Sequence, residues 1–256
     1  MIDKICLELR DAHARREQFI KTKIMFANRR RQLVEWHLGY KSTDDEEERT
    51  KHRDAAEKQL ALILKGEEPE SPLVRFVLES QPAIAAAERQ AEHFGKAMVK
   101  LAKKLPVADW VQRQKGFGLG NFSRVIGETG DLSLYANPAK VWKRMGLAPY
   151  KGKAPSTWKR TGGLTKEEWT ALGYCPRRRA IMYVVGECLL KLNDGHYRKR
   201  YDQAKALFAA KHPDEKLLHA HKHGMLLMVK MLLRDLWVVW NKGEADLGQN
   251  TYTPAD

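Results

Sequence analysis

The chain has 256 residues, of which 43% are hydrophobic, and its 46 Lys and Arg against 32 Asp and Glu give a formal net charge of +14. This length and composition allow one or two domains with a buried core, and the charge favours an anionic partner. Cys6, Cys175 and Cys188 form neither a disulfide framework nor a Cys-x-x-Cys zinc ribbon, and the sequence has no signal peptide and no apolar run of about 18 residues. We therefore expect a cytoplasmic protein without membrane association, bound to the nucleoid if bacterial.

The first 105 residues predict a helical arm. Apolar residues recur at helical spacing over residues 3–40, and a second helix follows a Ser-Thr-Asp-Asp break and ends near Gly66. In a third helix the apolar positions alternate in steps of three and four residues, as in the a/d seam of a coiled coil: Ile84, Ala87, Ala91, Phe94, Met98, Leu101 and Leu105. This seam, residues 84–105, predicts either a homo-oligomer contact or an intramolecular bundle, because spacing does not say which chain supplies the partner helix.

A glycine-rich segment predicts a helix-hairpin-helix at the start of the second half. Gly116, Gly118 and Gly120 stand between two apolar stretches. Glycines allow a tight turn with positive φ and a close approach to a ligand, so that amide groups and the next helix N-terminus face a phosphate. A dinucleotide-binding loop would need a preceding strand and an acidic residue some twenty positions later, which the sequence does not offer. An αα-corner that only packs remains an alternative.

The stretch between Asp131 and Glu167 contains no acidic residue, and such a stretch repels itself unless a polyanion lies near. Trp142 and Trp158 within it are interpreted either as rings that stack on bases or as anchors of the core and loops. Arg177 and Arg178 bind phosphate in one interpretation and begin a solvated helix in the other. The predicted nucleic-acid-binding residues are Gly116, Gly118, Gly120, Lys140, Lys143, Arg144, Lys151, Lys153, Lys159, Arg160, Lys166, Arg177 and Arg178.

Further helices are expected after the hairpin. Pro138 opens a short one, and a loop is expected from Pro149 to Gly173. Helices over about residues 177–192, 197–210 and 217–241 follow, the last apolar on nearly all sides and therefore central to a core. On that last helix His219 and His223 have the spacing of two metal ligands, but no Glu or Cys stands beside them, so we predict no metal site.

Several motifs together resemble a known family. They are Gly116-Phe117-Gly118, Ile126-Gly127-Glu128-Thr129-Gly130-Asp131 and Gly146-Leu147-Ala148-Pro149, followed less tightly by Ser156, Arg177 to Ile181, Tyr197, Tyr201 and Met228 to Trp240. Over residues 106–241 the chain resembles the C-terminal transposase domain of the insertion-sequence one-ten family, also called the one-sixteen and nine-oh-two families. Residues 10–40 and the heptads to Leu105 are similar to the coiled-coil segment that precedes this domain.

The resemblance implies a DNA recombinase that works with a guide RNA, with Ser156 as nucleophile and a nuclease-like domain whose four acidic residues hold Mg²⁺. The family's Ser-Gly-Gly-Lys is here Ser156-Thr157-Trp158-Lys159. The sequence begins in a predicted helix without the strands of the nuclease-like domain, so we expect no cofactor in this chain and Mg²⁺ only where a partner supplies the acidic residues. Isolated, the chain is expected to bind DNA without completing strand transfer.

These observations predict an all-α protein with a helical coiled-coil arm at 1–105, a helix-hairpin-helix, transposase-like domain at 106–242 and a flexible tail at 243–256. The predicted function is DNA binding in transposition or recombination. One alternative is a non-catalytic architectural or regulatory DNA-binding protein. The other is an RNA-binding partner of a recombinase, which the structured guide RNA of the family and the basic Arg29-Arg30-Arg31 run favour.

Overall fold

The computed structural model describes residues 1–150, 152, 163–192 and 195–247, and all secondary-structure elements in these ranges are helical. The predicted all-α class is therefore confirmed. The α-helices are α1 (Ile2–His37), α2 (Glu46–Lys65), α3 (Pro72–Ala102), α4 (Ala108–Arg113), α5 (Gly118–Thr129), α6 (Pro138–Arg144), α7 (Lys166–Leu172), α8 (Pro176–Lys191), α9 (His196–Lys211) and α10 (Leu217–Asn241). The segments Leu132–Leu134 and Glu244–Asp246 are short 3₁₀ helices.

Helix α7 lies where the sequence predicts an exposed loop, and that prediction is wrong for these residues. The Thr165 hydroxyl accepts a hydrogen bond from the Glu168 amide at 3.2 Å, and the Glu168 carboxylate accepts one from the Thr165 amide at 2.8 Å. This reciprocal pair is a capping box, which satisfies two amides at the helix start. The Thr-x-x-Glu pattern is present in the sequence, but the glycines before it favour a loop.

The chain divides into two compact units, one of Met1–His13 with Ala97–Asp256 and one of Ala14–Lys96. The first turns of α1 and the end of α3 therefore belong with the C-terminal helices, whereas the sequence predicts a single arm for all of residues 1–105. Within the predicted tail, Glu244 pairs with Arg113. Residues 248–256 lie outside the described ranges.

The unit of residues 14–96 is built by α1, α2 and α3. Phe19 of α1 stacks on Phe94 of α3 with ring centroids 5.9 Å apart, and Lys23 of α1 pairs with Glu88 of α3, so these two helices run antiparallel. The core of this unit contains Val34, Ala56, Leu60, Ile63, Val74 and Val77. Within the same chain, α1 thus covers part of the apolar seam of α3, as the intramolecular interpretation predicts. Oligomerisation through residues 84–105 stays a prediction.

The larger unit is organised around α10, which packs against α6, α8 and α9. Burial of long apolar side chains is the main stabilising contribution in such a helical core. Those of α10 that are almost wholly buried are Leu227, Met228, Leu232, Leu233, Leu236 and Val238. The described helices include none that is both long and apolar enough to traverse a bilayer.

Candidate nucleic-acid interface

An open, basic cavity of about 440 Å³ lies beside α6, and we call it the α6 pocket. Asn137 caps α6 by accepting a hydrogen bond from the Lys140 amide at 3.3 Å, and Pro138 occupies the first turn, where it needs no amide acceptor. Lys140 and Lys143 are exposed, and Arg144 is half-buried. The described residues that line the pocket include no carboxylate: Leu134, Tyr135, Ala136, Lys140, Lys143, Arg144, Leu172 and Gly173.

Arg144 is held in position by the backbone of the preceding helix. Its Nε donates to the Glu128 carbonyl oxygen at 2.9 Å, and its terminal nitrogens have no acceptor in the ranges that the structure describes. Burial and the nearby Arg178 charge lower the pKa of the Arg144 guanidinium, since both disfavour its charged form. A guanidinium with unused donors at a basic pocket is suited to a phosphate oxygen, which accepts two parallel N–H bonds.

The Glu128 carboxylate is the centre of a buried ionic cluster next to the α6 pocket. It accepts from Arg178 Nε at 3.0 Å and from His13 Nε2 at 3.0 Å, and Arg177 Nη2 lies 2.6 Å away. Burial on its own raises the pKa of Glu128, but the hydrogen bonds from His13 and Arg178 and the Arg177 charge bring it down to about 2. Arg178 also donates to the carbonyl oxygen of Gly173, which lines the pocket, at 3.4 Å.

Gly127 explains how His13 reaches this cluster. A Cβ atom on Gly127 would lie 2.7 Å from the His13 Cβ, which is closer than two carbon atoms can pack. Gly127 therefore allows α1 to approach α5 closely. The carboxylate of the adjacent Glu128 then accepts a hydrogen bond from the His13 imidazole. Gly130 ends α5, and Asp131 caps the 3₁₀ helix that follows. The motif of residues 126–131 thus joins α1, α5 and α8 through one carboxylate.

The predicted glycine hairpin divides into a packed part and an exposed part. A Cβ atom at Gly116 would lie 2.8 Å from the Cys188 carbonyl oxygen of α8, so this glycine serves close helix packing. Gly118 and Gly120 are exposed, and nothing lies within 4 Å of a Cβ built on either. They open α5, whose first amides have no acceptor within the helix. Phosphate binding by this turn stays a prediction.

The structure brings some of the predicted binding residues together. Lys140, Lys143 and Arg144 line one pocket. Arg177 and Arg178 contact the carboxylate of Glu128, and the carbonyl oxygen of Glu128 accepts a hydrogen bond from Arg144. The backbone of Lys166 begins α7, and its side chain lies outside the description. Also outside the described residues are the candidate nucleophile and four basic residues of the predicted interface, namely Ser156, Lys151, Lys153, Lys159 and Arg160.

The two histidines considered as metal ligands have other neighbours. His219 bonds to Glu215, and the His223 ring lies 4.8 Å from the Phe208 ring. Across the parts of the chain that the structure describes, no group of three or more His, Cys, Asp or Glu residues is placed to hold a metal ion. The described residues therefore offer no cluster of acidic side chains for the Mg²⁺ that the family resemblance implies.

Two features of this region are not apparent from the sequence. Glu128 stands out there only as part of a motif, because its partners His13 and Arg178 lie 115 and 50 residues away in the chain. Lys230, which is 9% exposed on α10, stands out in the sequence only as a break in an apolar run. A charged residue within a helix that is otherwise apolar is the signal that could have found it, since Lys is almost never buried without a reason.

Comparison of this chain with protein-family models, with curated proteins and with solved structures finds no match.

Proposed function

We propose that this protein binds nucleic acid through the α6 pocket and acts on DNA as a transposase-like protein. The observation that carries the proposal is the local excess of positive charge. Lys140, Lys143 and Arg144 line the pocket with no carboxylate among its described lining residues. Like charges this close repel one another, and an anion bound between them would relieve that repulsion.

A polyanion matches this surface better than a small acidic metabolite. The pocket is open to solvent and not an enclosed cavity, which suits a strand that passes across it better than a small ligand that would be enclosed. Glu128 links Arg144, which donates to its carbonyl oxygen, to Arg177 and Arg178, which contact its carboxylate, so the cluster of cations extends beyond the pocket lining. Phosphate contacts of this kind give affinity without reading the base sequence.

The test is the salt dependence of duplex DNA binding, measured by fluorescence anisotropy. We expect log Kd to rise steeply with log salt. The Lys140→Gln/Lys143→Gln variant should weaken binding and reduce the slope by about two, because each lysine neutralises one phosphate. The charge-matched control is Lys58→Gln/Lys65→Gln, which removes two exposed lysines of α2. Equal affinity and slope in the two double variants would contradict the proposal.

DNA is the proposed partner, and a structured RNA competitor at the same salt concentration tests that choice. If hairpin RNA displaces the duplex at lower concentration than unlabelled duplex does, the protein is an RNA-binding partner instead. The catalytic part of the proposal rests on the family resemblance alone. Without the acidic residues that would hold Mg²⁺, the isolated chain is expected to form no covalent protein–DNA adduct. An adduct on a denaturing gel that the Ser156→Ala variant does not form would contradict that expectation. If the protein has the architectural role instead, the Ser156→Ala variant should retain every function of the wild type.

A further inference from the structure

Leu134 is an apolar residue that lies largely in solvent within the lining of the α6 pocket. It is 79% exposed and lines the same cavity as Lys140, Lys143 and Arg144. Single exposed apolar residues are common on protein surfaces and need no function of their own. Leu134 differs from such residues because cations share its cavity and because the turn that carries it is fixed in place.

Two tryptophans of α10 hold this turn, one on each side of Leu134. Before it, the Asp131 carboxylate accepts a hydrogen bond from Trp240 Nε1 at 2.9 Å. After it, the Tyr135 carbonyl oxygen accepts a hydrogen bond from Trp237 Nε1 at 2.8 Å. The short 3₁₀ helix that contains Leu134 is therefore attached to the core-forming helix at both ends.

The side chains close to Leu134 in the sequence already have positions within the protein. Leu132 is fully buried, and the Tyr135 hydroxyl donates to the Thr129 carbonyl oxygen at 2.8 Å. Leu134 cannot turn into the core without breaking these contacts, so a partner is the means by which its side chain leaves water. A side chain carried by such a fixed turn loses little conformational freedom when a partner buries it.

We propose that Leu134 is a wedge that enters between two neighbouring base pairs of duplex DNA. Lys140, Lys143 and Arg144 of the same cavity then bind the phosphates beside that base step, so the inference rests on the proposed function. An inserted apolar side chain partly unstacks a base step and bends the duplex. An apolar surface of another protein would bury Leu134 equally well but would leave the three cations without a counter-charge. The wedge predicts a preference for DNA whose stacking is already weak, such as a mismatch.

The test compares Leu134→Ala with Leu217→Ala, which removes a leucine that is 77% exposed at the start of α10. Fluorescence anisotropy gives the Kd for a fully paired duplex and for the same duplex with one mismatch, at one salt concentration. The wild type and Leu217→Ala should bind the mismatched duplex about tenfold more tightly, because a mismatched step costs less to unstack. Leu134→Ala should bind the two duplexes equally. A fluorescent adenine analogue that brightens when unstacked should respond to the wild type and not to Leu134→Ala.

Both substitutions truncate exposed side chains, so the two variants should keep the Tm of the wild type. The salt dependence of binding should also be the same for Leu134→Ala and the wild type, because no charge is removed. The wedge is overturned if the wild type shows no mismatch preference, or if Leu134→Ala keeps both that preference and the unstacking signal. Steep salt dependence in all three proteins would then leave the proposed function standing. Absence of duplex binding by the wild type would instead refute the proposed function and the wedge together.

Discussion

Replacement of Glu128 by glutamine should destabilise the folded protein in a manner that depends on pH. The environment of Glu128 lowers its pKa from 4.5 to about 2, which corresponds to about 3 kcal/mol in favour of the ionised folded state at neutral pH. Because the folded pKa lies below the unfolded one, this stabilisation is complete above pH 4.5 and is lost as the pH falls towards 2. At pH 3 roughly 1.4 kcal/mol of it remains.

The measurement is urea unfolding of the wild type and of Glu128→Gln at pH 7, 5, 4 and 3, followed by circular dichroism. The difference in free energy of unfolding should be about 3 kcal/mol at pH 7, since a buried ionic cluster then lacks its carboxylate, and should shrink by more than half at pH 3. Glu92→Gln is the control, because the Glu92 carboxylate is exposed and pairs with Lys96, four residues on. A difference that stays constant from pH 7 to pH 3 would refute the reasoning, because Glu128 would then not be stabilised as an ion.

Two further predictions concern the same unit. Gly127→Ala should lower the free energy of unfolding by about 1–3 kcal/mol, because the added methyl group would lie 2.7 Å from the His13 Cβ and force α1 away from α5. Urea unfolding measures this, with Gly120→Ala as the exposed control. Equal stabilities of the two variants would contradict the close approach of α1 to α5. Cys6 is 2% exposed and burial raises the pKa of its thiol to about 12, so iodoacetamide at pH 8 should label Cys6 only after unfolding. Mass spectrometry of the native protein measures the labelling. Rapid labelling of Cys6 would contradict the packing of α1.

Local patterns predict the helices well, because the residues that determine each helix lie within a few positions of one another. Pro138 marks the start of α6 and Gly66 the end of α2, and each acts through its own backbone. The grouping of Lys140 and Lys143 is also predictable, since residues three apart share one face of a helix. The Glu128 cluster and the contact between Lys230 and Trp142 are not, because their members come from α1, α5, α6, α8 and α10 and meet only through tertiary packing.

The buried carboxylate and the basic pocket depend on each other. Without Glu128, the guanidinium groups of Arg177 and Arg178 would repel each other and the nearby Arg144. The folded state without ligand would then be less stable. With Glu128 in place, Arg178 is fixed against the carboxylate, whereas the Arg177 side chain keeps 41% of its surface exposed. A phosphate can therefore contact Arg177 without displacing Arg178 from its carboxylate. One buried anion thus organises the cations that a second, external anion would bind, and the preorganised cations lose less conformational freedom when that anion arrives.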